Sequence, residues 1–111
     1  MFSLIIPVYR NEGSILVLVE ALEDLNQNMG GDLEAVLVID GSPDRCLELL
    51  AAVLPKATFS SQLLVLSRNF GSYPAITAGL ASARGSLFAM MAADLQEPPE
   101  LIMEIRQKLE S

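Results

Sequence analysis

Apolar residues along this chain fall into two alternating patterns. Short, largely apolar runs rich in Val, Ile, Leu and Met occupy 2–8, 34–39, 62–66 and 86–92. Between them lie longer stretches in which apolar positions recur three or four apart, most clearly Ile15, Leu18, Val19, Leu22 and Leu25. Continuous apolar runs of strand length predict strands covered on both faces, and the three-four spacing predicts amphipathic helices. Strands alternating with helices in this way predict βαβ units around a parallel sheet. The expected fold class is therefore α/β, a three-layer α/β/α arrangement with a mostly parallel, Rossmann-like sheet.

Local punctuation agrees with that division. The first helix has Asn11 or Ser14 as its candidate N-cap and Gly30-Gly31 as its stop. A second helix is expected over 45–54, after Ser42-Pro43-Asp44 and before Pro55. The third, over 73–83, is rich in Ala and Gly, which lets a helix backbone lie close to a sheet. The last opens with Pro98-Pro99-Glu100, where Pro suits the first helical position and Glu favours the positive end of the dipole. There Glu104 and Lys108 form an i,i+4 pair. No internal repeat, linker or low-complexity stretch divides the chain, so one domain is expected.

Composition removes several functions. The 7 basic and 14 acidic residues give a net charge of −7, which leaves no footprint for a phosphate backbone and excludes nucleic acid as a partner. A polybasic membrane patch is also lacking, and the apolar runs at 15–19 and 87–93 fall far short of the roughly 20 residues that span a bilayer. The opening residues carry no basic stretch and no small-residue cleavage site, so they do not read as a signal peptide. With no His and a single Cys46, the chain holds neither an internal disulfide nor the residues for zinc or Ser/His chemistry. A soluble segment in a reducing, cytoplasmic setting, or on the cytoplasmic face of a membrane, is expected. The 51% hydrophobic content is high for a chain this small and implies apolar surface meant for a partner, including a second copy.

In open parallel sheets ligands bind beyond the carboxyl ends of the strands. The segments that follow the four runs are Pro7-Val8-Tyr9-Arg10-Asn11-Glu12, Asp40-Gly41-Ser42-Pro43-Asp44, Ser67-Arg68-Asn69-Phe70-Gly71 and Asp94-Leu95-Gln96-Glu97-Pro98-Pro99. All are polar, and carboxylates occur in three of them. Each has a plain alternative: Asp40-Gly41-Ser42 is an ordinary turn, Arg68-Asn69 a solvated loop, and Asp94 a helix cap. Neither the dinucleotide fingerprint nor the phosphate loop is present.

Taken together, the four segments resemble family 2 glycosyltransferases of the GT-A type. Ser3 to Glu12 is similar to that family's opening strand and P-x-Y-N-E loop. Val38-Ile39-Asp40-Gly41-Ser42-Pro43-Asp44 resembles its [DN]-D-G-S-x-D turn, and Arg68-Asn69-Phe70-Gly71 with Ala78 to Gly85 resembles its R-N-x-G and A-G-x-x-x-A-x-G stretch. Ala92-Ala93-Asp94-Leu95-Gln96-Glu97-Pro98-Pro99-Glu100-Leu101 resembles the D-A-D-L-Q-D-P-P-E-L segment of the dolichol-phosphate mannosyltransferase-like branch. Two positions depart from the pattern: Ile39 replaces the first acid or Asn of the turn, and Ala92 the first Asp of D-x-D.

The resemblance implies a nucleoside-diphosphate sugar as donor, carrying UDP or GDP, and an inverting transfer to a polyprenyl phosphate. The whole of 1–111 would be the N-terminal, nucleotide-sugar-binding part of a transferase domain whose acceptor half, with any catalytic base, lies elsewhere. A fragment of that kind is expected to be inactive alone. Asp40 would reach the base edge as an exposed loop carboxylate. Pro7, Tyr9 and Glu12 would shape the base and ribose pocket, with Arg68 near the phosphates. Asp94 and Gln96 would hold Mg²⁺ or Mn²⁺, since oxygen ligands suit both ions and the departing diphosphate needs its charge neutralised. A hydroxyl acceptor in surface polysaccharide synthesis, or a non-catalytic nucleotide-binding module, is the alternative.

Overall fold

The alternation in sequence becomes four strands and four helices in the computed structural model, which describes residues 1–96 and 98–110. Glu97, part of the last loop and motif above, and Ser111 lie outside the described residues. In chain order the elements are β1 Phe2–Val8, α1 Ile15–Asn28, β2 Leu33–Asp40, α2 Cys46–Val53, β3 Ser60–Leu66, α3 Ser72–Ser82, β4 Leu87–Met90 and α4 Pro99–Glu110. Single 3-10 turns precede α1 and follow α2.

All pairings are parallel and the strand order is β3-β2-β1-β4. Alternate residues of the two central strands point to opposite faces. Leu4, Ile6 and Val8 of β1, with Ala35, Leu37 and Ile39 of β2, pack under α1, α2 and Ile102 of α4. Ile5, Val36 and Val38 face the other way, under Ala75 of α3. Each fully buried Leu or Ile contributes about 1.5–3 kcal/mol, so these two strands and the helix faces laid on them together carry the fold's hydrophobic stabilisation.

Coverage on both faces holds for this centre only. Both edge strands are partly exposed, because α3 alone covers its face and lies across β1 and β2. The ladder of β4 also ends sooner than expected. Ser86 and Met91 still donate N–H groups to the Met1 and Ile5 carbonyls, but the chain turns at Ala93-Asp94 and leaves the sheet.

The helix stop at Gly30-Gly31 occurs as expected, with φ of +67° and +82°. Neither Asn11 nor Ser14 caps α1 with its side chain, however. The 3-10 turn at Glu12–Ser14 leads the chain in, and the Ser14 hydroxyl donates instead to the Asn11 and Ala93 carbonyls at 3.1 and 3.3 Å. Close approach of α3 to the sheet depends on Gly79, where an added Cβ would meet Ile5 Cγ2 at 2.5 Å.

Candidate functional site

All four segments that follow the strands gather at one end of the sheet, as a parallel sheet requires. Three of them, those after β1, β2 and β4, line a cleft of about 300 Å³ together with Ser72 at the start of α3. Its walls include Pro7 and Tyr9 from the loop after β1, Asp40 at the end of β2, and Asp94 and Gln96 after β4. Five of the seven sequence-predicted side chains thus meet in one place. Asn11, Ser72, Ala92 and Ala93 complete the wall. Ser72 opens α3, and only the expectation that ligands favour helix N-termini could have pointed to it.

Glu12 and Arg68 do not line the cleft. The Glu12 carboxylate turns toward α2, where Oε1 accepts the Arg45 N–H at 2.8 Å, while its own N–H donates to Asp44 Oδ2 at 3.1 Å. Arg68 is exposed, with its guanidinium carbon 4.7 Å from the centre of the Phe70 ring. Arg10 stacks similarly over Tyr9 at 5.2 Å.

Asp40 departs from expectation in a different way. It is 2% exposed, and its oxygens already accept hydrogen bonds from Phe70 N at 2.9 Å and Gly71 N at 3.1 Å. Asn69 Nδ2 donates to its carbonyl at 3.2 Å. The turn residue Gly41, at φ +64°, presses so closely on the backbone of Arg68 and Asn69 that no Cβ could be placed there. An exposed carboxylate projecting from a turn is therefore replaced by a buried one, because the neighbouring loop folds over it.

The loop after β2 is also tied to the loop after β1. Ser42 Oγ accepts the Arg10 N–H at 2.8 Å, and Asp44 accepts from Ser42 Oγ, Cys46 N and Glu12 N. Burial pushes the Asp44 carboxyl up, but these bonds outweigh it and hold it at about 2. Cys46 moves the other way: burial, then its contact with Asp44, pushes the thiol to about 11, so it is no nucleophile at neutral pH.

The loop after β4 is held more loosely. Asp94 Oδ1 accepts the Gln96 N–H at 3.3 Å, and both side chains are exposed. Leu95 between them has φ +58°, and Arg10 has φ +55°. These are the positive-φ non-glycine residues among those described, and both lie in loops at this end. Backbone strain of this kind gathers at ligand sites. Of the two departures from the family pattern, Ile39 is 2% exposed in the core on the far face of β2, whereas Ala92 lines the cleft.

Mg²⁺ and Mn²⁺ bind oxygen. The Asp94 carboxylate and Gln96 amide oxygen are donors of that kind, and they fit such an ion if phosphate oxygens and water fill the rest of its shell. Among the described residues no cluster of three His, Cys, Asp or Glu forms a self-sufficient metal site. Nor is any described helix long and apolar enough to cross a membrane.

Comparisons with known proteins agree with this arrangement. The chain is 39% identical over 108 residues to the undecaprenyl-phosphate 4-deoxy-4-formamido-L-arabinose transferase of Pseudomonas paraeruginosa, a match covering 97% of this chain and 32% of that protein. The chain thus spans about a third of the length of the curated relatives it matches. In three dimensions it resembles S. aureus TarS 1-349 in complex with UDP-GlcNAc, at a TM-score of 0.73 and 24% identity over 84% of this chain and 26% of that one. It also resembles the mannosyltransferase PcManGT from Pyrobaculum calidifontis in complex with GDP-Man and Mn²⁺, at a TM-score of 0.72 and 18% identity, covering 87% and 32%. Those structural likenesses establish a shared fold, the parallel α/β arrangement of GT-A enzymes. The family pattern itself extends over residues 3–111, and the chain belongs to glycosyl transferase family 2.

Proposed function

We propose that this chain is the donor-binding part of an enzyme that transfers a sugar, with inversion, from a nucleoside diphosphate to a polyprenyl phosphate. The observation that carries the proposal is the convergence of Pro7, Tyr9, Asp40, Asp94 and Gln96 on one cleft at the carboxyl ends of parallel strands. Tyr9, 38% exposed on the cleft wall, offers an aromatic face to a base. Pro7 lines the cleft beside it, and the cations of the surrounding loops, Arg10 on the Tyr9 ring and Arg68 on the Phe70 ring, are the candidates to meet a diphosphate. A divalent ion held through Asp94 and Gln96 would supply charge neutralisation to the departing diphosphate. Support for a lipid phosphate acceptor comes from the relatives, which are named for undecaprenyl phosphate. Such an acceptor oxygen is already ionised at neutral pH, so the donor part needs no general base of its own.

A specific observation favours a second reading, a nucleotide-binding module without turnover: Ala92 lines the cleft where the family pattern has an acid. Calorimetric titration of the chain with UDP, GDP and their sugars, with and without Mn²⁺, tests the shared premise. Metal-strengthened binding of one nucleotide class is expected, and no binding of either would sink both readings. Radiolabelled sugar moving into a polyprenyl-phosphate fraction with the full-length protein would then favour the transferase over the module.

A further inference from the structure

The loops after β1 and β2 exchange hydrogen bonds in both directions. Ser42 Oγ accepts the Arg10 N–H at 2.8 Å, and Asp44 Oδ2 accepts the Glu12 N–H at 3.1 Å. In return Glu12 Oε1 accepts the Arg45 N–H at 2.8 Å, at the start of α2. Asp44 Oδ1 takes the Ser42 hydroxyl and the Cys46 N–H, so the two acceptors of the second loop also hold each other.

This latch closes on a strained turn. Arg10 has φ +55°, a left-handed conformation that costs a non-glycine residue about 1–2 kcal/mol. Its own N–H is bound by Ser42, and the N–H groups on either side go to Asn11 Oδ1, from Tyr9 at 2.9 Å, and to Asp44, from Glu12. The residues inside the turn are the ones that meet the cleft. Tyr9 and Asn11 both line it, and the Arg10 guanidinium carbon lies 5.2 Å from the centre of the Tyr9 ring. A side chain already fixed in its bound place loses less freedom when a ligand arrives. We infer that Ser42 and Asp44 are positioning residues: through the backbone of Arg10 and Glu12 they hold the Tyr9 ring in the cleft wall, ready to stack on a base. The inference rests on the proposed nucleotide site for its ligand, and on the hydrogen bonds alone for the latch.

Two tyrosines and no tryptophan make Tyr9 observable. Tyr73 is 81% exposed, and in a Tyr73→Phe background the near-UV circular dichroism of tyrosine reports the Tyr9 ring alone. Without nucleotide, Ser42→Ala and Asp44→Ala should each weaken that signal about twofold or more while the far-UV spectrum stays unchanged. Ser42→Thr, which keeps the hydroxyl, should retain it. UDP and GDP in Mn²⁺ are the binding probes. Affinity for whichever nucleotide binds should fall about fivefold in each alanine variant, and less than about twofold in Ser42→Thr. In a Tyr9→Ala background, Ser42→Ala should add less than about twofold, because both changes act through one ring. Asp44→Ala also strips an acceptor from the start of α2, so if it fails to fold, Ser42→Ala decides. An unchanged tyrosine signal in Ser42→Ala, a Ser42→Thr loss as large as that of Ser42→Ala, or an undiminished Ser42→Ala loss once Tyr9 is gone would each overturn the inference. If the parent chain binds neither nucleotide, the functional reading falls, and the tyrosine signal still decides whether the latch holds the ring.

Discussion

Two carboxylates lie near opposite ends of β2, on the same face, and both hold α3. Glu34 receives the backbone N–H of Arg84 just beyond the end of that helix, and Asp40 receives the N–H of Gly71 at its start. Between them Val36 and Val38 form the apolar bed on which the helix lies. The difference is in what else each needs. At the helix C-terminus the dipole repels a carboxylate, and Glu34 has a cation there, Arg84 Nε at 2.8 Å, with Ser3 Oγ and Gln62 Nε2 completing its shell. At the N-terminus the dipole attracts one, and Asp40 manages with N–H groups and an amide. The closed end of the sheet is thus saturated by side chains from three strands and a loop, while at the cleft end Arg68 and Arg10 stack on the Phe70 and Tyr9 rings and neither meets the Asp40 carboxylate.

Breaking the closed end should cost most. Glu34 is fully buried, so Glu34→Ala leaves Ser3, Gln62 and Arg84 N without their shared acceptor, and about 3–5 kcal/mol of stability should be lost. Chemical denaturation measures this, and a loss under about 1 kcal/mol would show that the shell reorganises freely around the gap. The same residue predicts a pH dependence. Burial pushes its carboxyl up, but the bonds from Arg84, Gln62 and Ser3 prevail and lower it from 4.5 to about 2. A depressed pKa means stability that is full above the unfolded value near 4.5 and lost as pH falls through about 2. On the order of 3 kcal/mol is at stake, so the gap between parent and Glu34→Gln stability should close across that window and stay constant at neutral pH.

The middle of the same helix should respond less. Gly79→Ala places a methyl 2.5 Å from Ile5 Cγ2 and 3.2 Å from Val38 Cγ2. Lifting α3 to make room should cost about 1–3 kcal/mol even though alanine is the better helix former. A stabilised variant in thermal melts would mean that α3 lies looser on the sheet than its packing indicates.

The two carboxylates were not equally visible in the amino-acid sequence. Asp40 follows an apolar run and precedes Gly-Ser, so its place beyond a strand end could be read directly. That it is buried could not, because its partners are backbone N–H groups some thirty residues away in a loop whose path no periodicity encodes. Glu34 looked like the first residue of a strand. Its shell comes from Ser3, Gln62 and Arg84, which only the parallel register brings together. Elements were legible wherever the apolar pattern was continuous. Their ends were less so: Ser60 and Ser61 extend β3 through polar residues, and Ser86 and Met91 keep single bonds outside β4. Glu12 and Arg68 were rightly placed in strand-end loops, yet helix α2 and the Phe70 ring claim their side chains.

The smallest effect on stability belongs to Asp94, and it sharpens the contrast most. Its side chain is exposed, it accepts the 3.3 Å bond from Gln96 N, and among the described residues no other carboxylate shares a metal-binding cluster with it. Asp94→Ala should therefore change folding stability by no more than about 0.5 kcal/mol, as surface substitutions usually do. Its ligand effect should be large by comparison. A site with one protein carboxylate needs phosphate oxygens to complete the ion's shell, so Mn²⁺ and nucleotide should bind with positive coupling of about 1–3 kcal/mol, equal in both directions by linkage. Removing Asp94 should abolish that coupling and leave metal-free nucleotide affinity nearly intact. Ala92→Asp, adding an acid to the same cleft wall, should instead strengthen Mn²⁺ binding to nucleotide-free protein. Calorimetry on the three proteins measures each quantity, and undiminished coupling in Asp94→Ala would move the metal away from this loop.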